Sequence, residues 1–199
     1  MPAQPSDFPA LEIKKRFGDE TFSGKGSNPG ISVMEFWRWA ASDLLSNAMR
    51  GVLAEYIVAN ALGITGGVRT EWDAFDLRME NGTTIEVKSA AYLQSWHQNR
   101  LSSISFGIQP TKGWDSSTNI VSAERKRQAD IYVFCVLNHK DQVTVNPINL
   151  DQWDFYILRA EVLNRECPIQ KTISFNSLLR LGPVKAAYSE IASVVKRLT

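Results

Sequence analysis

The chain has 199 residues, a formal net charge of +1, 44% hydrophobic residues and 22% charged residues. This length allows one well-buried domain and excludes two of ordinary size, and the near-neutral charge restricts any nucleic-acid surface to a local patch. The two cysteines, and the lack of a leader-like or long apolar stretch, exclude a disulfide framework and a membrane span, so we expect a soluble, cytoplasmic protein.

The amino-acid composition of the chain changes near residue 31. Residues 1–30 are rich in Pro, Gly and Ser, which predicts a flexible N-terminal segment. Residues 31–199 combine periodic apolar stretches with turn residues and contain no internal repeat. We therefore expect one domain over 31–199.

The first long periodic stretch predicts a helix. Ser42 or Asp43 can cap it, it runs to about Leu62, and Gly63 supplies its stop. Its apolar residues recur at helical spacing, at Leu45, Ala48, Met49, Val52, Tyr56, Ala59 and Leu62.

Two short alternating segments, 75–79 and 84–91, flank an Asn-Gly pair and predict a β-hairpin. The odd positions are apolar on both segments, so they must share the core face and pair with one another. A two-residue turn would pair odd with even positions. A three-residue loop with Gly82 in the left-handed conformation pairs Met79 with Thr83, and we predict this loop.

Further strands and a terminal helix are predicted downstream. Strands are expected at 103–108, 130–137 and 153–158. The polar segment 116–129 is expected to be part loop and part helix, and 184–198 to form an amphipathic helix. The order of helix, hairpin, further strands and terminal helix predicts one α/β or α+β domain.

The predicted register gathers charged groups on one face of the hairpin. Asp76 lies directly opposite Glu86, and Lys88 is the next residue along on the same face. Opposed carboxylates repel each other, and a shared divalent cation removes that cost. The alternative is an exposed polar face on which Lys88 neutralises its neighbours. Asp73 is a rival first acid, but its odd number would place it on the core face if the strand extended that far.

Glu55 lies beside the apolar stripe of the predicted helix. A carboxylate close to a packing face needs a partner, because burying an unpaired charge is costly. Glu55 therefore either joins the acidic site or is a boundary residue that reaches water or pairs with Arg50.

At Asp76 and the segment Ile85-Glu86-Val87-Lys88 the sequence resembles the PD-(D/E)XK nuclease superfamily, which has the restriction-endonuclease-like fold. The similar region is 50–96, and the later segment 129–137 resembles a strand of the same fold. The resemblance implies a core of helix, three strands, helix and strand, with a mixed central β-sheet flanked by helices. Phe75 occupies the position where the family name has proline.

The resemblance also implies roles for these residues. The ligands of a Mg²⁺ or Mn²⁺ ion would be Asp76, Glu86, Glu55 and the backbone carbonyl of Val87. Lys88 would orient the attacking water. Gln94 would support the site or contact the nucleic acid, provided that the second strand stays regular.

A local basic stretch is a candidate surface for the nucleic acid. Between Arg100 and Arg127 the positive residues exceed the negative ones, and Trp114 lies within this stretch. Such a patch suits a phosphate backbone, and solvated loops have the same composition.

These features together predict a Mg²⁺-dependent endonuclease that hydrolyses phosphodiester bonds of DNA with a metal-activated water. DNA is favoured over RNA as the substrate, and a homodimer is left open. The alternative is a catalytically inactive nucleic-acid-binding or interaction module on the same fold. A sugar hydrolase with paired carboxylates fits less well, because opposed acids beside a lysine suit a metal better.

Overall fold

A computed structural model describes residues 10–69, 73–115 and 118–199. The helices are α1 (Val33–Ala41), α2 (Asn47–Ala61), α3 (Ala160–Glu166), α4 (Phe175–Arg180) and α5 (Ile191–Leu198). The strands are β1 (Leu77–Arg78), β2 (Thr84–Ala91), β3 (Ser105–Gly107), β4 (Thr111–Asp115), β5 (Ile120–Lys126), β6 (Ile131–Leu137), β7 (Trp153–Arg159), β8 (Thr172–Ser174) and β9 (Val184–Ala186). No helix in the described ranges is long and apolar enough to cross a membrane.

A mixed five-stranded sheet with the order β1-β2-β6-β7-β9 forms the centre of the fold. Strand β6 runs parallel to β2, and the other neighbouring pairs are antiparallel. Two smaller antiparallel ribbons, β3–β8 and β4–β5, lie outside this sheet. The structure is therefore mixed α/β, with a mixed central sheet flanked by helices, as the sequence predicted.

Both faces of the central sheet are covered by apolar side chains. The first core joins the sheet to α2 and α5, for example through Val58 and Val195. The second core joins the opposite face to β3, β8, α3 and α4, for example through Leu163 and Leu178. Every residue of β6 is buried, because this strand lies in the middle of both cores.

Helix α2 ends as predicted and begins later than predicted. Gly63 follows it with a φ of 72°, the left-handed conformation that terminates a helix. The cap is Ser46, whose side chain accepts from the N–H of Met49 at 3.4 Å. Asp43 caps a tight turn instead, accepting from the N–H groups of Leu45 and Ser46.

The predicted loop of the first hairpin is confirmed. Leu77 pairs with Ile85, and Met79 donates to the carbonyl of Thr83 at 2.9 Å. Gly82 has a φ of 91°, which allows the three-residue loop to close. The odd positions Leu77, Met79 and Ile85 all contact the first core, so the register follows from the alternation of apolar residues.

Parts of the second half differ from the expectation. The segment expected to be loop and helix at 116–129 contains β5, although residues 116 and 117 lie outside the described ranges. The terminal segment 184–198 begins with β9 and becomes α-helical only at Ile191. Helices α1, α3 and α4 and strand β8 were not predicted.

The connection between β2 and β6 departs from the core that the resemblance implies. That core has three strands and then a helix before the last strand, whereas β1 and β2 are the only strands of the described residues that precede this connection. Across residues 92–130 the described part contains strands and loops and no helix. Strand β6 nevertheless lies beside β2 and parallel to it.

The flexibility predicted for residues 1–30 stays a prediction, as does the single domain over 31–199. Residues 1–9 lie outside the described ranges, and residues 10–30 contain isolated bridges but no helix or strand. Helix α1 follows directly, and Ser32 and Glu35 form a capping box at its start.

Candidate active site

Asp76 lies where the regular pairing of β1 with β2 ends. Leu77 pairs with Ile85, and the N–H of Asp76 also donates to the carbonyl of Ile85, at 3.1 Å. Two successive residues therefore face one, which is the arrangement of a β-bulge. As a consequence Asp76 and Glu86 are offset rather than directly opposed as predicted. The bulge also sends Phe75 to the second core, whereas Leu77 contacts the first.

The carboxylate of Asp76 is bound to the open edge of β2. Its Oδ2 accepts from the backbone N–H of Val87 at 2.6 Å. In an extended strand the N–H and the C=O of one residue point to the same side, so the carbonyl of Val87 is directed toward this edge as well. The carboxylate of Asp76 and the carbonyl of Val87, two of the four predicted metal ligands, therefore lie on the side of β2 away from β6.

The environment of Asp76 disfavours its ionised form. Burial, followed by the charges of Glu86 and Glu55, raises the pKa of its carboxyl from 3.8 to about 7. The N–H of Val87 and the charge of Lys88 act in the opposite direction without cancelling this effect. Asp76 therefore lies at a point where bringing in positive charge would be strongly favourable.

Glu86 and Lys88 form an ion pair on the face of β2 that carries the second core. Their side chains are 19% and 31% exposed, so they lie in a partly closed space and not on an open polar face. Tyr132, which lies beside Glu86 on β6, is buried, and burial together with the charge of Glu86 raises the pKa of its hydroxyl.

Glu55 projects from α2 and forms an ion pair with Arg69, whose Nη2 lies 3.1 Å from its Oε1. Its side chain is 14% exposed. The alternative pairing with Arg50 does not occur. Arg50 is buried and donates to the carbonyl of Leu45, to the side-chain oxygen of Asn47 and to two further side chains.

The acidic residues line adjoining cavities along the edge of the hairpin. Glu55, Asp73 and Asp76 line the first, which has a volume of about 340 Å³. Asp73, Asp76 and Glu86 line the second, of about 420 Å³. Glu86 and Lys88 line a third. Shared residues connect the three, so the structure brings Glu55, Asp76, Glu86 and Lys88 to one continuous groove.

Asp73 is the acidic residue that the sequence did not favour as the first acid of the site. It was expected on the core face if the strand extended to it, but β1 begins only at Leu77. Asp73 is exposed and lines the first two cavities together with Asp76. The sequence carries no pattern that would have shortened the strand, because Phe75 continues the apolar alternation.

Gln94 does not lie in this groove. It is 8% exposed, because β2 ends at Ala91 and the following chain turns into the body of the protein. Its side chain accepts from Arg50 at 3.0 Å and donates to the carbonyl of Ala91 at 3.0 Å and to Ser102. Gln94 therefore joins α2 to the end of β2, and a contact with nucleic acid is not what this geometry supports.

The donor chemistry of the groove fits a hard divalent cation, although no ready-made site is formed. Outside residues 1–9, 70–72 and 115–117, no three Asp, Glu, His or Cys side chains stand together as a metal-binding group. Each of the three predicted acidic ligands is instead bound by a donor: Glu55 by Arg69, Glu86 by Lys88 and Asp76 by Val87. The raised pKa of Asp76 is the observation that favours a cation here, since positive charge would relieve its repulsion.

Comparison with known proteins assigns the chain to a family. The family model described as bacteriophage T4 endonuclease IV matches residues 30–177, which is more than half of the chain. The matched segment contains α2, the first hairpin and all the acidic residues of the groove. The chain therefore belongs to the bacteriophage T4 endonuclease IV family. Comparison with curated proteins and with solved structures gave no match.

Proposed function

We propose that the protein is a divalent-metal-dependent DNA endonuclease whose active site is the acidic groove. One observation carries the proposal: the half-buried Asp76 shares a cavity with Glu86 and has a pKa raised to about 7. Both residues lie inside the segment that matches the endonuclease family. An acid in a cleft whose pKa is raised by loss of solvent and by neighbouring acids is typical of a functional site.

The ligands of the cation are the carboxylates of Asp76 and Glu86, with the carbonyl of Val87 at the same edge of β2. Oxygen ligands of this kind suit Mg²⁺ or Mn²⁺. Glu55 is the further acid on α2, and it would join these ligands if its ion pair with Arg69 opened. When bound, the cation supplies Lewis-acid stabilisation of the negative charge that develops on the phosphate.

Lys88 acts on the reacting groups. Its side chain is 31% exposed, and its ammonium is held beside the site by Glu86, with which it lines the third cavity. When a cation engages Glu86, the ammonium can donate to the attacking water and to a phosphate oxygen. Both contacts become stronger as negative charge accumulates in the transition state, which is how a positioned donor accelerates hydrolysis.

We further propose that the protein is a divergent member of the PD-(D/E)XK superfamily. The support is the order of Glu55 on a helix, Asp76 and Glu86-x-Lys88 on a hairpin, and a following strand parallel to β2. The missing central helix in the described part of the β2–β6 connection is the main departure. Function rests on the acidic groove and not on this assignment.

Circular DNA tests the proposal sharply, because only an endonuclease cuts a molecule without ends. Purified protein is incubated with circular duplex and circular single-stranded DNA in Mg²⁺, Mn²⁺ or EDTA, alongside Asp76→Asn and Glu86→Gln. Glu161→Gln, whose side chain is 74% exposed on α3, is the matched control. We expect cutting with metal by the wild type and the control, and none by the two site variants or in EDTA.

The remaining outcomes contradict the proposal in different ways. Cutting that persists in EDTA would overturn the role of the cation. Binding of DNA without cutting in any metal would favour the catalytically inactive module that shares this fold. Equal cutting by Asp76→Asn and the wild type would place the active site elsewhere.

A further inference from the structure

The β4–β5 hairpin stands directly beside the acidic groove. It contributes side chains to the wall of the second cavity, facing the acids of the first hairpin. The cavity is lined by Thr111, Lys112 and Trp114 from β4 together with Asp73, Asp76 and Glu86. A basic and an aromatic residue therefore lie within the same cavity as the proposed catalytic acids.

The charges on this hairpin are not arranged for its own stability. Lys112 pairs directly with Arg125, and Thr111 pairs with Lys126, so these two neighbouring residue pairs contain three cationic side chains. Like charges directly opposed across a strand pair are destabilising. Within the ranges that the structure describes, none of the three forms an ion pair. Such a cluster is relieved when an external anion binds.

The hairpin also lacks the apolar contacts that would explain it as part of a core. It belongs to a separate two-stranded ribbon, and all of β5 except Ser122 is exposed. Its described residues make hydrogen bonds within the hairpin: the N–H of Gly113, where the register shifts, donates to Ser122 at 2.9 Å, and Trp114 donates to Asn119 at 3.1 Å. The polar atom of Trp114 is thus satisfied within the hairpin, leaving its ring as apolar surface in the cavity.

We propose that the β4–β5 hairpin is a DNA-binding arm, in which Lys112 and Arg125 bind phosphates next to the scissile one and Trp114 packs against a nucleobase. This proposal rests on the proposed endonuclease function. The chain as a whole carries only +1, and the groove itself is acidic, so DNA gains little attraction from the rest of the site. Cations on the arm supply that attraction locally, and an aromatic ring stacks on bases regardless of their identity.

Arg127 is not part of this arm, although the basic stretch of the sequence included it. It is 6% exposed and donates to the carbonyls of Ile108 and Cys167 and to Asn164. The sequence alone could not separate this buried arginine from its neighbour Lys126, which is exposed.

The salt dependence of DNA binding tests the arm. Binding of a labelled oligonucleotide, single-stranded and duplex, is measured by fluorescence anisotropy, with Ca²⁺ replacing Mg²⁺ to suppress cleavage. The double variant Lys112→Gln/Arg125→Gln is compared with Lys196→Gln/Arg197→Gln, which removes two exposed cations from α5. The melting temperature of each variant verifies folding, and removing the opposed cations of the arm should not lower it.

For duplex DNA, each phosphate contact steepens the fall of the logarithm of the association constant with the logarithm of the salt concentration by about 0.9. At 0.15 M salt, relative to 1 M, one such contact corresponds to about a fivefold gain in affinity. We therefore expect the arm variant to bind roughly tenfold to thirtyfold more weakly, with a slope smaller by about 1 to 2. The α5 control should match the wild type. A wild type that cuts DNA, with an arm variant of unchanged affinity and slope, would overturn the arm alone. A wild type that neither binds nor cuts DNA would overturn both proposals.

Discussion

The carboxylate of Asp76 accepts from the backbone N–H of Val87 at 2.6 Å, so an acid that directly precedes β1 is bound to the edge of β2. The bulge at Asp76 makes this contact available, since regular pairing would have used the strand edge for a ladder hydrogen bond. The same contact brings the acid close to the carbonyl of Val87 and to Glu86. A local defect in the hairpin thereby assembles the oxygen groups of the proposed metal site.

The raised pKa of Asp76 predicts that metal affinity depends on pH. Below about pH 7 the carboxyl holds a proton that a cation must displace, so apparent affinity for Mg²⁺ should rise with pH and level off above it. Calorimetry in two buffers of different ionisation enthalpy should show proton release on binding at pH 6.5 and much less at pH 8.5. Proton release that is equal at both pH values would contradict the assignment.

The same shift predicts how the metal-free protein responds to pH. Because the folded pKa of Asp76 is raised above 3.8, the folded state holds a proton that the unfolded state has lost between about pH 4 and 7. The contribution of this group to the free energy of unfolding is therefore present at low pH and is lost as the pH rises through 7. In EDTA the wild type should lose more stability between pH 5 and pH 8 than Asp76→Asn does.

Asp76→Asn should therefore stabilise the metal-free protein at pH 8. The amide oxygen can still accept from Val87, while the buried charge and its repulsion from Glu86 are removed. We expect a gain of about 1–2 kcal/mol, which corresponds to roughly 2–4 °C in melting temperature per kcal/mol for a domain of this size. Addition of Mg²⁺ should raise the melting temperature of the wild type and not that of the variant. A variant less stable than the wild type in EDTA at pH 8 would show that the charge of Asp76 is not a structural cost.

The hairpin register was predictable because apolar residues alternate on both strands and Gly82 permits only one suitable loop. The bulge was not predictable from polarity. Phe75 is apolar, and since both faces of the central sheet carry a core, it can be buried on either side. The alternation of apolar residues alone therefore could not decide whether Asp73 or Asp76 reaches the groove. It also could not decide whether Asp76 and Glu86 oppose each other directly.

The β4–β5 hairpin was missed for a related reason. Its β5 strand is exposed at six of seven positions, so it shows no alternation of buried and exposed residues. Strand β9 is three residues long and forms as an edge strand paired with β7. Strand β9 depends on a neighbour that is distant in the sequence, whereas β6 was evident from its continuous apolar run.

Substitution of Gln94 distinguishes a structural role, seen in its contact with Arg50, from the nucleic-acid contact that the resemblance implies. Gln94→Ala leaves buried Arg50 with one acceptor fewer, so we expect a loss of about 1–3 kcal/mol in the free energy of unfolding. Affinity for DNA should be unchanged at a temperature where the variant is folded. Gln94→Glu keeps an acceptor for Arg50 and should be less destabilising. A specific loss of DNA affinity with normal stability would return Gln94 to the nucleic-acid surface.

Lys88 separates binding of the cation from the chemical step. Lys88→Met keeps the length of the side chain and removes the ammonium that pairs with Glu86. The carboxylates remain, so stabilisation by Mg²⁺ should persist and should even strengthen, because Glu86 no longer has a competing cation. Cleavage of circular DNA should fall by about 10²–10³-fold, the usual effect of removing one donor that acts on developing charge. Lys171→Met, an exposed lysine near β8, is the control and should cut normally. A Lys88→Met protein that binds Mg²⁺ and cuts at the wild-type rate would remove Lys88 from the mechanism and leave the acids alone to account for it.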